Sequence, residues 1–279
     1  MVIEHAFRVT NASGDVIRGD LRYVDDRSQR PLILICHGFT AHKDWGPFPY
    51  FGQELAKRGF ATIVFNFSHN GVGENKGVLT EYDKFSQNTP GKELEDVQAL
   101  LDAITVGRIG EGIIDTARIG MAGHSRGGGI SILTAGNDNR VRVIAAWSTV
   151  ATFLRYTKHQ REEWERKGYL PLRYGSTRTL LRYDVSVLRD LEANRNRYDL
   201  HLGARRLKVP ALFVHGEADI IVRYEEAQGL YELIDGSSSE FVLLHGAGHM
   251  YGAQHPFRET NPTIERMLDV TSTWFKQKL

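Results

Sequence analysis

Apolar and polar positions change rhythm several times along the chain, and these changes predict its elements. His5–Thr10 and Val16–Val24 are short β-rich runs on either side of Asn11-Ala12-Ser13-Gly14-Asp15, a turn-forming cluster, so they predict an opening antiparallel hairpin. Pro31–Cys36 and Ala61–Phe65 are unbroken apolar runs, the pattern of strands buried on both faces. Between them a helical stretch from about Phe48 to Arg58 closes at Gly59. Leu94, Val97, Leu100, Leu101 and Ile104 recur at helical spacing within Gly91–Val106. A strand at Arg118–Gly123, a helix after Ser125 and a strand at Val141–Trp147 follow. Strands alternating with helices predict crossover connections and a parallel sheet.

That rhythm stops over residues 152–206, where arginine and tyrosine crowd together and amphipathic stretches are interrupted at Gly168, Pro171 and Gly175. It resumes with a strand at Pro210–His215, a helix at Tyr224–Ile234, a strand at Glu240–Leu244 and a helix at Pro262–Lys278. The expected fold class is therefore α/β: one domain over residues 1–279, with a mostly parallel central sheet, helices on both faces, and residues 152–206 inserted as a helical cap. A length of 279 residues suits one large core of this kind.

Charge narrows the function classes. Thirty-five Lys and Arg against 34 Asp and Glu leave a formal +1, so no global field gathers nucleic acid or acidic membranes, and neither is an expected partner. The single cysteine, Cys36, lies in the apolar run Leu32–Cys36; one thiol makes neither an internal disulfide nor a cysteine zinc cluster, and it reads as a small buried hydrophobe. No basic segment followed by an apolar stretch opens the chain, and no apolar run approaches the roughly 18 residues of a membrane span, so a cytoplasmic location is expected.

Candidate chemistry concentrates in three places. Gly123-His124-Ser125-Arg126-Gly127 fits G-x-S-x-G where a strand gives way to a helix, a sharp turn that projects Ser125 Oγ clear of the sheet in strained dihedrals. Serine at its ordinary pKa needs a base, and the base an orienting carboxylate. Asp219 in His215-Gly216-Glu217-Ala218-Asp219 and His249 in His245-Gly246-Ala247-Gly248-His249 each follow a strand, in the order nucleophile, acid, base. Other readings compete: Ser125 as a helix cap, Glu217 as the acid, His245 or His255 as the base. The His245/His249 spacing of four residues runs through two glycines, a loop instead of a metal-binding helix face, so neither metal nor cofactor is expected. His37 and His215, each before a glycine at a strand end, read as loop-orienting groups. Trp147 reads equally as core or pocket, and Phe67-Ser68-His69-Asn70-Gly71 takes no assigned role.

On these residues the sequence resembles the α/β-hydrolase superfamily over nearly the whole chain except the insertion. Within it, the chain looks like bacterial esterases of the cinnamoyl/feruloyl type and prolyl-oligopeptidase-like hydrolases. The resemblance matches His37-Gly38-Phe39 to the family's H-G-x segment and implies oxyanion-hole donors at the N–H groups of Phe39 and Arg126. It implies a cofactor-independent serine hydrolase acting on small to medium carboxylic esters through Ser125, His249 and Asp219. A peptidase or amidase on short acylated peptides is the alternative, and a non-catalytic binding protein on the same fold the lesser one. Tyr156, Tyr169, Tyr174, Tyr183 and Tyr198, with the arginines of the insertion, suit an aromatic or anionic acyl group.

Overall fold

The computed structural model describes residues 1–26, 28–173, 179–235 and 238–279. It opens with strands β1 (Val2–Thr10) and β2 (Val16–Val24), paired antiparallel from Val2↔Val24 to Thr10↔Val16 as the hairpin reading expects. Strands β3 (Arg30–Cys36), β4 (Ala61–Asn66), β5 (Ile114–His124), β6 (Val141–Trp147), β9 (Ala211–Gly216) and β10 (Glu240–Leu244) follow. The sheet order is β1-β2-β4-β3-β5-β6-β9-β10. From β4 to β10 every pairing is parallel, and β2 joins β4 antiparallel.

The unbroken apolar runs are explained by the two faces of this sheet. Successive side chains of a strand point to opposite sides, so Leu32, Leu34 and Cys36 enter one core while Ile33 and Ile35 enter the other. Ala211 and Phe213 part from Leu212 and Val214 in the same way. One face is covered by α3 (Pro90–Thr105), α4 (Arg126–Ala135), α7 (Leu200–Arg206) and α8 (Tyr224–Tyr231), the other by α1 (Phe48–Lys57) and α9 (Pro262–Lys278). Local signals start these helices: Thr89 accepts the Lys92 N–H at the head of α3, and Asn261 accepts from Thr263 and Ile264 ahead of α9, each followed by proline at the first helical position. A short helix α2 (Tyr82–Ser86), too brief to show periodicity, precedes α3.

The insertion is not wholly helical, and here the expectation is corrected. Alongside α5 (Lys158–Lys167) and α6 (Val185–Ala193) it holds an antiparallel ribbon of β7 (Tyr169–Arg173) and β8 (Leu180–Asp184). The interruption at Gly168 is the left-handed end of α5, with φ +76°, where the chain turns into β7. The ribbon's alternation is short and carries charge on its exposed face, so no long period announced it. Tyr174 and Gly175 lie outside the described residues. Helix α7 rests against α4, its Gly203 beside Leu133, and completes the connection from β6 to β9.

A buried carboxylic acid ties three elements together. Asp96 on α3 is fully buried and accepts from the Ser68 N–H (2.7 Å) and Asn11 Nδ2 (2.8 Å). Burial pushes its pKa up to about 7, against the pull of those two donors. Because the folded value lies above the unfolded one, this acid's contribution to stability is full below the unfolded pKa and is lost as pH rises through about 7. Chemical denaturation is therefore expected to find the native protein less stable at pH 8 than at pH 5 by about 1.4 kcal/mol or more from this group, with a smaller difference for Asp96→Asn. An equal pH dependence in the two proteins would sink the assignment.

Candidate active site

Strand β5 ends at His124 and α4 begins at Arg126, so Ser125 alone makes the turn, with φ +55° and ψ −117°. Such a conformation is strained for any residue with a Cβ and persists because its surroundings enforce it. The flanking glycines permit the close approach: a Cβ on Gly123 would lie 2.2 Å from the Gly127 carbonyl oxygen, and one on Gly127 would lie 2.4 Å from that of Cys36. Ser125 stands at the N-cap position, yet its side chain makes no capping hydrogen bond, so the helix-cap reading does not describe what the hydroxyl does.

Asp219 and His249 meet as their loops leave β9 and β10. His249 Nδ1 lies 2.7 Å from Asp219 Oδ2. Asp219 Oδ1 accepts the N–H groups of Ile221 and Val222, each at 2.9 Å, which fixes the carboxylate. Burial alone would raise this acid's pKa; donors from His215, His249 and the Val222 N–H outweigh it and hold the carboxyl well below the usual range. His215 Nε2 faces two acceptors, the Val222 carbonyl at 2.9 Å and Asp219 Oδ2 at 3.3 Å, and therefore carries the proton and donates.

Ser125 and His249 line one cavity of about 380 Å³, with Gly38, Phe39, Trp45, Phe153 and Tyr156 among its other walls. His124, at the end of β5, touches the loop that carries His249. Its Nε2–H donates to the His249 carbonyl at 2.9 Å, and its ring centre stands 4.6 Å from that of His249. Burial pushes the His124 pKa down to about 3, so this ring stays neutral beside His249. Periodicity carried no signal for this contact, which joins positions 125 residues apart.

The His37-Gly38-Phe39 segment lies against the turn, a Cβ on Gly38 being 3.3 Å from Ser125 Cβ. Among the described residues, neither the Phe39 nor the Arg126 N–H makes a backbone hydrogen bond; the latter is the first helical residue, whose N–H has no partner within the helix. His37 Nδ1 donates to the Gly38 carbonyl at 2.8 Å and so shapes this loop.

The competing residues fall elsewhere. Glu217 pairs with the exposed His245, at 2.5 Å, away from Asp219's contacts. His255 Nδ1 accepts from the Gly46 N–H at 3.0 Å and its ring stacks on Trp45. Trp147 is fully buried and donates to Thr271 Oγ1, a core role. Cys36 is buried, and His69 is bonded to Ser68 and Lys92. Of the insertion's tyrosines, Tyr156 lines the cavity, Tyr183 is buried, Tyr198 donates to Asp190 and Tyr169 lies beneath Arg182.

The side chain of Arg126 was not anticipated as a buried group. Its Nε donates to Glu93 at 2.8 Å and its Nη1 to the Tyr183 hydroxyl at 3.3 Å, while the Phe39 and Phe153 rings lie 5.0 and 5.7 Å from its Cζ. Glu93 also accepts from Asn88, and Tyr183 donates to the Asn88 carbonyl. The residue following Ser125 is thereby tied both to α3 and to β8 of the insertion. A glutamate inward of a helix's first turn is the one sequence trace of this pairing.

Residues 33–263 match the alpha/beta hydrolase family profile. The chain belongs to that family. Among the relatives of this α/β hydrolase in Bacillus subtilis strain 168, the putative esterase YitV is 26% identical over 215 residues, covering 75% of this chain and 76% of YitV. The uncharacterized peptidase YuxL is 27% identical over 257 residues, covering 89% of this chain but 35% of YuxL. Est1E from Butyrivibrio proteoclasticus, solved with ferulic acid bound, superposes with a TM-score of 0.71 at 21% identity, over 98% of this chain and 99% of Est1E, which is a likeness of fold. Among the described residues no helix is long and apolar enough to cross a membrane, and no cluster of three His, Cys, Asp or Glu side chains is placed to hold a metal ion.

Proposed function

We propose that this α/β hydrolase is a serine carboxylesterase acting on small to medium esters. The observation that carries the reading is the 2.7 Å contact of His249 with a buried, firmly held Asp219, on a histidine that shares its cavity with a strained and uncapped Ser125. Ser125 Oγ attacks the ester carbonyl as His249 Nε2 takes its proton; Asp219 accepts from Nδ1–H and stabilises the imidazolium. The N–H groups of Phe39 and Arg126 hold the tetrahedral oxyanion, at the N-terminus of α4 where the helix dipole favours negative charge. The proton returns to the departing alcohol, and a water activated by the same histidine releases the acid from Ser125. The insertion over residues 152–206 serves as a cap: it supplies Phe153 and Tyr156 to the cavity and limits the bulk of what enters.

Paired assays on p-nitrophenyl acyl esters, methyl ferulate and aminoacyl anilides test the reading. Esters are expected to turn over at least about 10²-fold faster than anilides, since the same transition-state stabilisation meets a better leaving group. Faster anilide cleavage makes the enzyme a peptidase or amidase. Failure of a fluorophosphonate to label the native protein, together with no turnover of any substrate, leaves a binding protein on a hydrolase fold.

A further inference from the structure

An arginine of the insertion, Arg155, lines the cavity beside Ser125, yet its guanidinium is engaged elsewhere. Arg155 Nη1 lies 2.5 Å from Glu226 Oε2 on α8, and Nη2 donates to the Ile221 carbonyl at 3.0 Å. Glu226 Oε2 also accepts the Ala151 N–H at 3.2 Å, so the same carboxylate holds the chain where it passes from β6 into the insertion. Both members of the ion pair are partly exposed, and such pairs add little to stability. What the pair supplies is aim: a planar guanidinium held at one nitrogen by a carboxylate presents its other nitrogen in a fixed direction, here toward a backbone carbonyl.

That carbonyl belongs to the segment that holds Asp219. Ile220 and Ile221 are 91% and 62% exposed, so side-chain packing does little to fix this bend, and hydrogen bonds fix it instead. The N–H groups of Ile221 and Val222 each donate to Asp219 Oδ1 at 2.9 Å, and His215 Nε2 donates to the Val222 carbonyl at 2.9 Å. The Ile221 carbonyl and the Val222 N–H are the two ends of one planar peptide unit, so the bond from Arg155 at one end sets the direction of the bond to Asp219 at the other. A hydrogen bond accepted by the carbonyl also polarises the N–H and strengthens its donation. Asp219 Oδ2 is in turn 2.7 Å from His249 Nδ1. Resting on the ester-hydrolase reading, we propose that Arg155 is a positioning residue for Asp219: through the Ile221–Val222 peptide it holds the carboxylate that orients His249, and it thereby couples the seat of the insertion to proton transfer at Ser125.

The test measures hydrolysis of p-nitrophenyl butyrate by the native chain, Arg155→Met, Glu226→Gln and the double variant. Reactive serines are counted by fluorophosphonate labelling, so kcat is expressed per active site and does not depend on how much of a variant is folded. Arg155→Met is expected to lower this kcat by about 10-fold or more while KM stays within about twofold, because a misplaced carboxylate slows both acylation and deacylation and leaves the apolar wall in place. Glu226→Gln is expected to lower kcat several-fold, and the double variant to be no slower than Arg155→Met within about twofold, since both changes break the same contact. An unchanged kcat per site in Arg155→Met, or losses that multiply in the double variant, overturns the proposal and leaves the esterase reading standing. A raised KM with kcat retained does the same, and makes Arg155 a substrate contact. A native protein that neither labels nor turns over the ester removes the esterase reading and this proposal with it.

Discussion

Replacing Ser125 by alanine is expected to lower ester turnover by about 10⁴–10⁶, leaving only what binding and the oxyanion donors supply. Alanine keeps a Cβ at φ +55°, so the turn stays strained and the fold intact. Ser125→Gly is expected to be as inactive yet more stable than Ser125→Ala, because glycine occupies positive φ without the steric penalty. Part of that relief is offset by glycine's greater freedom in the unfolded chain, leaving a gain of about 1 kcal/mol, or roughly 2–4 °C in melting temperature. Turnover and melting curves of the three proteins check both halves. Alanine activity within tenfold of native would remove Ser125 from the chemistry; equal melting temperatures for the alanine and glycine variants would mean the turn stores no strain.

Glu93→Gln is the second large effect. Glu93 Oε2 is the anion for Arg126, and both side chains are buried, at 3% and 9% exposure. Removing one partner of a buried pair leaves an uncompensated charge, with an expected loss of about 3–5 kcal/mol. At roughly 2–4 °C per kcal/mol the melting temperature should fall by about 6–20 °C. The glutamine amide also sets a donor against either Arg126 or the Asn88 Nδ2 that Glu93 Oε1 now accepts. In Arg126→Met the backbone N–H remains, so a Glu93→Gln/Arg126→Met double variant should recover part of the loss that Glu93→Gln causes alone. Denaturation of the two singles and the double measures the coupling; strictly additive losses would show that the pair is not what holds this region.

Much of the fold was legible in the chain because its signals are local. A strand buried on both faces must be apolar throughout, and Pro31–Cys36 and Ala61–Phe65 are; a helix laid on a sheet must repeat near 3.6 residues, as α3 does. The β7–β8 ribbon was missed because five-residue strands with one wet face carry too few apolar positions to establish a period. At the site, the motifs around Ser125, Asp219 and His249 stood out because sharp turns restrict residue type, and glycine at 123 and 127 is required by contacts near 2.2–2.4 Å.

By itself, then, the sequence determined the alternation of strands and helices, the loops at which chemistry was expected, and the absence of any large charge imbalance. Only the tertiary structure decided which side chains share an environment. It set Glu93 and Tyr183, 33 and 57 positions away, on Arg126, and it placed His124 beside His249 from 125 positions away. It also separated the carboxylates and histidines in space, since Glu217 and His245 pair at the solvent-exposed surface while Asp219 and His249 pair with each other. The reason is physical: periodicity and turn chemistry act between neighbours in the chain, whereas burial, desolvation and hydrogen-bond pairing act between neighbours in space, and the sheet order sets who those neighbours are.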